Sequence, residues 1–312
     1  MKELIINLDA PPSERWSVLR KYKKEVNDLI GFYLADLGDA DFFEGVIDWY
    51  KEQFIAPSYQ EEARSIAAMS TFSENQILMA NLYYDALKLV FGCTSFAVET
   101  EGSIFHARNL DWWSERNALK NYSSIFHFQK GQKTIYSTVG WPGFIGALSG
   151  MRHHAYSITL NAVMSEESPH FALPITFLIR DVLEQQTSFE QALKVLSETP
   201  IANDCLLMLV GRKKGEMAVI ERTPTQNAIR KSDTSYLIVT NDYKKLNGKT
   251  IAGDLLQTTS CGRYDRVEAI LNERKPTKES DYFAILSDKA VKMEITMQQM
   301  LFNLTENRIM VK

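Results

Sequence analysis

The sequence predicts an α+β fold in which antiparallel sheets carry helices on their outer faces, behind an N-terminal helical segment. Three observations point there. Residues 1–92 repeat apolar side chains at helical spacing. From Cys93 the texture changes to short runs rich in β-formers, separated by turn signals. Two hairpin-rich blocks are then separated by two helices, which suits sheets covered from outside rather than a parallel βαβ array.

In the first segment, Val26, Leu29, Ile30, Tyr33, Leu34 and Leu37 form one apolar helix face. Phe43, Val46, Ile47, Tyr50 and Phe54 form a second. A third helix is predicted to open at Ser73, with Gln76 closing a capping box, and to run through Leu78, Leu82, Ala86 and Leu89 to Gly92. Ser95–Thr100 and Ser103–Arg108 then flank Glu101-Gly102, a two-residue hairpin loop. Ser123–Phe128 and Thr134–Gly140 flank a Lys130-Gly131 turn, and Tyr156–Asn161 is a further strand. A helix follows from about Pro174. The next is predicted to open on a Thr187/Glu190 capping box and to end before Pro200. Leu206–Gly211 and Glu216–Glu221 make another hairpin, Tyr236–Thr240 is a strand ending at Asn241, and a helix spans about Arg263–Asn272. The break at 92/93 is the one candidate boundary. It divides a helical segment, 1–92, from a strand-rich segment, 93–312.

Composition narrows the class. The chain has 312 residues, 45% apolar and 24% charged, which suits one large or two small globular domains. A net charge of −4 argues against a nucleic-acid partner. Three cysteines, an odd number, do not suit a disulfide framework. Zinc spacing is absent, so neither a metal nor a cofactor is expected. The first residues lack the apolar run of a signal peptide, which predicts a cytoplasmic chain, or a lysosomal or secreted one if a leader has been removed.

Candidate chemistry centres on Cys93. With Glu101-Gly102 as the loop, paired positions sum to 203. Cys93 then faces Leu110 and Ser95 faces Arg108, which brings Arg108, Asn109 and Asp111 beside the thiol. A guanidinium there favours the thiolate. The alternative is a buried apolar cysteine beside an ordinary Arg–Asp salt bridge. The five histidines, at 106, 127, 153, 154 and 170, do not suit a Cys–His dyad. His106 pairs near residue 97, away from Cys93, and His153 and His154 fall in a solvated loop. A different base becomes available if Gly92–Cys93 is cut. A free α-amine has a pKa of about 7.7–8.0 and can take the thiol proton. Gly92 also leaves its carbonyl open to attack by that thiol.

The stretch CTSFAVETEGSIFHARNLDWW, Cys93 to Trp113, resembles the start of the mature β-chain in the acid ceramidase and N-acylethanolamine-hydrolysing acid amidase family. That family is part of the choloylglycine-hydrolase branch of N-terminal-nucleophile hydrolases. Five further segments match in collinear order: INLDAPPSERW (6–16) before it, and ALSGMRHHAYSITLNAV (147–163), PITFLIRDVLEQQTSFEQALKVL (174–196), YLIVTND (236–242) and CGRYDRVEAILN (261–272) after it. The resemblance implies an αββα sandwich of two antiparallel sheets, self-cleavage at Gly92–Cys93 and hydrolysis of a fatty N-acyl amide. It implies Cys93 as nucleophile, Arg108 and Asp111 around its amine and thiol, Asn241 and Asn161 as oxyanion donors, and Arg263 closing the network, with Arg266 as the alternative register. Trp112, Trp113 and Trp141 are candidates for an acyl channel, against a plain core role.

The implied substrate is a lipid amide of the N-acylethanolamine kind. Ceramide, a bile-salt conjugate, a penicillin and an N-acyl homoserine lactone are alternatives, as is a catalytically silent lipid-binding relative. Peripheral contact with a membrane or micelle is open. Three departures from the family pattern stand out, one of them a hairpin between Cys93 and Arg108 that is one residue shorter than in the animal enzymes. The family's central strand continues Asn-Glu-Arg, whereas this chain reads Asn161-Ala162-Val163. The disulfide joining the two pieces in acid ceramidase has no cysteine in 1–92, so the cleaved pieces form a non-covalent heterodimer held by packing.

Overall fold

A computed structural model describes residues 1–37, 41–87, 92–112, 118–246 and 255–312, without the side chains of 41–44, 86–87 and 255–257. Thirteen strands form two sheets among the described residues. The first runs β1 (Lys2–Asn7), β4 (Ser124–Lys130), β5 (Lys133–Gly140), β6 (Ser149–Arg152), β7 (Tyr156–Asn161), β8 (Cys205–Gly211), β9 (Met217–Arg222) and β10 (Asn227–Lys231) in spatial order. The second runs β11 (Tyr236–Val239), β2 (Gly92–Thr100), β3 (Ser103–Asp111), β12 (Thr296–Asn303) and β13 (Arg308–Val311).

The sheets face each other through β2 against β7 and β3 against β8. Helices Ile175–Gln185 and Phe189–Glu198 cover the first sheet, and Leu255–Glu273 and Glu279–Leu286 cover the second. The result is an αββα sandwich. Strand parity sorts the core. On β2, Phe96 and Val98 pack outward with Val267 and Leu271 of the covering helix, whereas Cys93 and Ala97 belong to the main core.

The expected hairpin register holds throughout. Cys93 pairs with Leu110, Ser95 with Arg108 and Ala97 with His106. Gly102 closes that turn at φ +82° and Gly131 closes the next at φ +58°, conformations that glycine adopts without a Cβ clash.

Several expectations need correction. Residues 2–7 form a strand, not helix, and β1 pairs parallel with β4, so the first sheet is not wholly antiparallel. Its alternation, with Leu4 and Ile6 buried and Ile5 exposed, spans only six residues. The helix opening at Ser73 has the expected capping box but ends at Asn81, with a short helix, Tyr83–Leu87, after it. Asn81 explains the break. Its amide donates to Ile77 O and Gly143 O and accepts from Ile145 N–H, so it ties the helix end to a loop. Gly92 begins β2 rather than ending that helix. The next N-cap is Ser188 rather than Thr187, and Gln191 rather than Glu190 completes it.

The helix expected from Arg263 begins at Leu255. Its Thr-Thr-Ser-Cys-Gly stretch has poor helix propensity, overridden by tertiary bonds from Ser260 and Arg263. The second apolar helix face is realised at Val46, Ile47, Tyr50 and Phe54. Phe43, Ala86, Leu89 and Trp113 lie outside the described side chains.

Residues 1–87 share the main core with the sandwich. Their firmest joint is polar and fully buried. Glu62 accepts from Arg180 Nη1 (2.5 Å) and Nη2 (2.8 Å) and from Trp16 Nε1 (2.7 Å). Arg180 also donates to Ile145 O and Tyr136 Oη, and its guanidinium lies 4.8 Å from the Tyr59 ring centre and 5.0 Å from that of Phe128.

Candidate active site

Cys93 is the second residue of β2 and is fully buried. Arg108, from the partner strand, donates through Nη2 to its Sγ at 3.1 Å. The same nitrogen donates to Leu160 O at 2.5 Å, while Nη1 donates to Leu148 O (2.7 Å) and Ser149 Oγ (2.6 Å). These three acceptors belong to β7 and the entry to β6, so the facing sheet holds the guanidinium in place. Arg108 Nε has no hydrogen-bond partner. Among the described residues no carboxylate bonds this guanidinium, so the ordinary Arg108–Asp111 salt bridge is not formed. Burial pushes the Cys93 thiol up, and Arg108 opposes that shift.

On the other side of the strand, Arg263 Nη1 donates to Cys93 O (2.6 Å) and Thr94 Oγ1 (3.0 Å). Its Nη2 donates to Asn241 Oδ1 (2.7 Å). That same Oδ1 accepts the Cys93 backbone N–H (3.1 Å), and Asn241 Nδ2 donates to Ala162 O (2.7 Å). Ser260 Oγ accepts the Asn241 backbone N–H (2.9 Å). Asn241 sits at the end of β11, fixed from three directions. Arg266 lies on the surface, paired with Asp288.

Asp111 is buried opposite Gly92. Its Oδ1 accepts from Thr296 Oγ1 (2.5 Å), and its Oδ2 has no partner. Burial raises its carboxyl, with Thr296, Arg263 and Arg108 pulling the other way. Asn161 is also buried, but its Nδ2 donates to Val239 O (3.2 Å) and Thr240 O (3.0 Å). Its Oδ1 accepts from Ser95 Oγ (2.9 Å).

Asn109 needs correction. It faces away from the thiol, donating to Leu286 O and accepting from Gln299. His106 also points elsewhere, to Ser157 and Thr159. Burial, with Arg108, lowers its pKa to about 3, so it is neutral at ordinary pH. Thr159 donates onward to Ser95, which donates to Asn161. Thr159 therefore accepts from His106, whose proton lies on Nε2. His153 is half-buried and accepts from or donates to Ser137, rather than lying in solvent as expected. Trp112 and Trp141 are core residues, with ring centres 5.8 Å apart. With Tyr33, Tyr83 and Leu148 they enclose only about 10 Å³.

Thr296, Ser149 and Ser260 support the site but carry no local signal in the sequence. Thr296 reaches Asp111 across 185 residues of chain. Among the described residues, no cluster of histidine, cysteine and carboxylate side chains could hold a metal ion. No helix there is long and apolar enough to cross a membrane.

Residues 98–310 match the model of the acyl-coenzyme A:6-aminopenicillanic acid acyl-transferase family. The chain belongs to that family. It is 28% identical to an acid ceramidase of Balaenoptera acutorostrata scammoni, over 97% of this chain and 83% of the whale protein. It is 29% identical to an N-acylethanolamine-hydrolyzing acid amidase of Caenorhabditis elegans, over 70% of this chain and 66% of that protein. A solved Caenorhabditis elegans orthologue of that amidase superposes with a TM-score of 0.57 at 26% identity, covering 68% of this chain and 93% of its own.

Proposed function

We propose that this chain is a self-cleaving N-terminal-nucleophile amidase acting on a fatty N-acyl amide of the N-acylethanolamine kind. It is an amide-bond hydrolase, as the names of its relatives indicate for those proteins. The observation that carries the reading is the 3.1 Å bond from a carboxylate-free, buried Arg108 to the Cys93 thiol. A guanidinium in that setting favours the thiolate, the reactive form of cysteine.

In the uncut chain, the Cys93 thiol attacks the Gly92 carbonyl, the peptide nitrogen leaves, and water hydrolyses the resulting thioester. The freed α-amine of Cys93 then lies where its backbone N–H now meets Asn241 Oδ1. Asp111, whose Oδ2 has no partner and which pairs with Gly92 across the strands, accepts a hydrogen bond from that ammonium. In turnover, the thiolate attacks the substrate carbonyl and the α-amine passes the proton to the leaving amine. Water then releases the fatty acid. Asn241 donates to the oxyanion, and Arg263 fixes Asn241 and the nucleophile's carbonyl. Asn161 acts as a positioning residue, because both its amide protons serve the end of β11. After cleavage the two pieces stay together through the shared core and the Glu62–Arg180 joint. A membrane or micelle surface is met through the exposed Trp49 and Phe171.

Ceramide is the second reading, favoured by the acid ceramidase match over nearly the whole chain. Values of kcat/KM for palmitoylethanolamide, a short-chain ceramide and glycocholate on cleaved enzyme test the assignment. Palmitoylethanolamide is expected to lead, because each buried CH₂ of an acyl chain contributes about 0.8 kcal/mol without polar partners. A lead for ceramide moves the assignment to the second reading, and a lead for glycocholate overturns both. Failure of Cys93 to react with a thiol-directed acylating probe would instead indicate a silent relative.

A further inference from the structure

Away from Cys93, a cavity of about 260 Å³ lies between the N-terminal helices and the segment around Phe171. Leu37, Val46, Ile47, Met79 and Leu82 make its walls, and Asp85 and Asn203 lie on its lining. Both polar residues are buried, and each has one oxygen without a hydrogen-bond partner, Asp85 Oδ2 and Asn203 Oδ1. Their remaining polar atoms are committed. Asn203 Nδ2 donates to Asp85 O, which leaves its Oδ1 as the unmatched end. Asp85 Oδ1 meets only the Ile175 N–H, at 3.5 Å.

The Tyr50 hydroxyl, also at the cavity, donates to Ala172 O and so does not serve either acceptor. No cationic side chain among the described residues pairs with Asp85, and burial, with the Ile175 N–H pulling the other way, pushes its carboxyl up to about 7. A buried acceptor left unmatched is destabilising. Two of them in an apolar cavity call for a donor brought in from outside. Phe171, 65% exposed, lines the cavity, and Trp49, 46% exposed, packs on Phe171 with ring centres 5.0 Å apart.

We propose that this cavity binds a single-chain amphiphile carrying a primary ammonium group. The alkyl chain lies among Leu37, Val46, Ile47, Met79 and Leu82, and the ammonium donates to Asp85 Oδ2 and Asn203 Oδ1. An ammonium has three donors and balances the carboxylate charge, whereas a hydroxyl has one donor and balances none. A carboxylate headgroup is excluded by like charge and by its lack of donors.

The site uses neither Cys93 nor the cut at Gly92, so the test is independent of the proposed function. Calorimetric titration at pH 8 with decylamine, decyltrimethylammonium and decanoate, each below its micellar concentration, is carried out on wild type and on the uncut Cys93→Ala chain. Decylamine is expected to bind both alike, and at least tenfold more tightly than either other ligand. Asp85→Asn, nearly isosteric, is expected to weaken decylamine at least tenfold. Ile47→Trp, which fills the cavity, is expected to abolish binding. Should Asp85→Asn fail to fold, the three ligands on wild type decide alone. Equal binding of decanoate or decyltrimethylammonium, or undiminished binding to folded Asp85→Asn, would overturn the proposal.

Discussion

Two fully buried arginines in this molecule do opposite things. Arg180 is gripped by both oxygens of Glu62 and ringed by Trp16, Tyr59 and Phe128. Glu62 and the neighbouring tyrosines more than offset its burial, and its pKa is raised well above the ordinary arginine value. Its charge is already answered, so it joins one half of the chain to the other. Arg108 bonds two carbonyls, a hydroxyl and a thiol, and no carboxylate. Its positive charge remains available to stabilise negative charge at Cys93. Burial of a guanidinium therefore does not by itself mark a catalytic group; what it bonds sets what its charge can do.

The comparison breaks most sharply at Arg108. Arg108→Met is expected to stop cleavage and to lower kcat of any pre-cleaved enzyme by about 10³-fold. Its melting temperature is expected to change far less than that of a Glu62 variant. Arg108→Lys keeps the charge but not the fork that reaches Leu148, Ser149 and Leu160, so it restores only part of the rate. Full activity in Arg108→Met, read in a single-turnover assay, would contradict the role.

At the joint, Glu62→Ala leaves Arg180 buried and unpaired, at a cost of about 3–5 kcal/mol. Denaturant unfolding is expected to show that loss. The paired Glu62→Met/Arg180→Met change should recover most of it, because matched removal of a buried ion pair is often neutral. The cleaved Glu62→Ala enzyme is expected to separate into two pieces on native gel filtration, whereas wild type runs at full mass. A Glu62→Ala protein as stable as wild type would remove the joint from the account.

The third change sharpens the active-site half. Asn241→Ala removes the proposed oxyanion donor and is expected to lower kcat by about 10²–10³ with little change in KM. An effect confined to KM would assign Asn241 to substrate binding instead.

Much of this contrast could be read from the chain. The Glu101-Gly102 loop set the register that pairs Ser95 with Arg108, and strand parity then placed the guanidinium near the thiol. Asn241 is marked by the resemblance of YLIVTND to the family's closing segment, since an asparagine at a strand end alone reads as a turn former. The joint was illegible, because Glu62 and Arg180 are 118 residues apart and each reads as an ordinary charged helix residue. In the helix holding Glu62, Pro57–Ala67, the carboxylate itself sits on the buried face beside Tyr59, Ala63 and Ile66, so it interrupts the apolar stripe. Strand β12 also went unread. Every residue in it is buried, glutamines included, so it lacks the alternation of a half-exposed strand. Thr296 and its bond to Asp111 were lost with it. Asn109 was misplaced for a simpler reason: adjacent residues on a strand point to opposite faces.

The central claim is that Cys93 is a nucleophile that first cuts its own chain. Intact mass under denaturing, reducing conditions tests it directly, on wild type and Cys93→Ala purified side by side. The account predicts two wild-type fragments, the larger beginning at Cys93, and a single uncut Cys93→Ala chain without activity. A Cys93→Ala chain that still splits at Gly92–Cys93, or a wild-type chain that hydrolyses amides while wholly uncut, would contradict it.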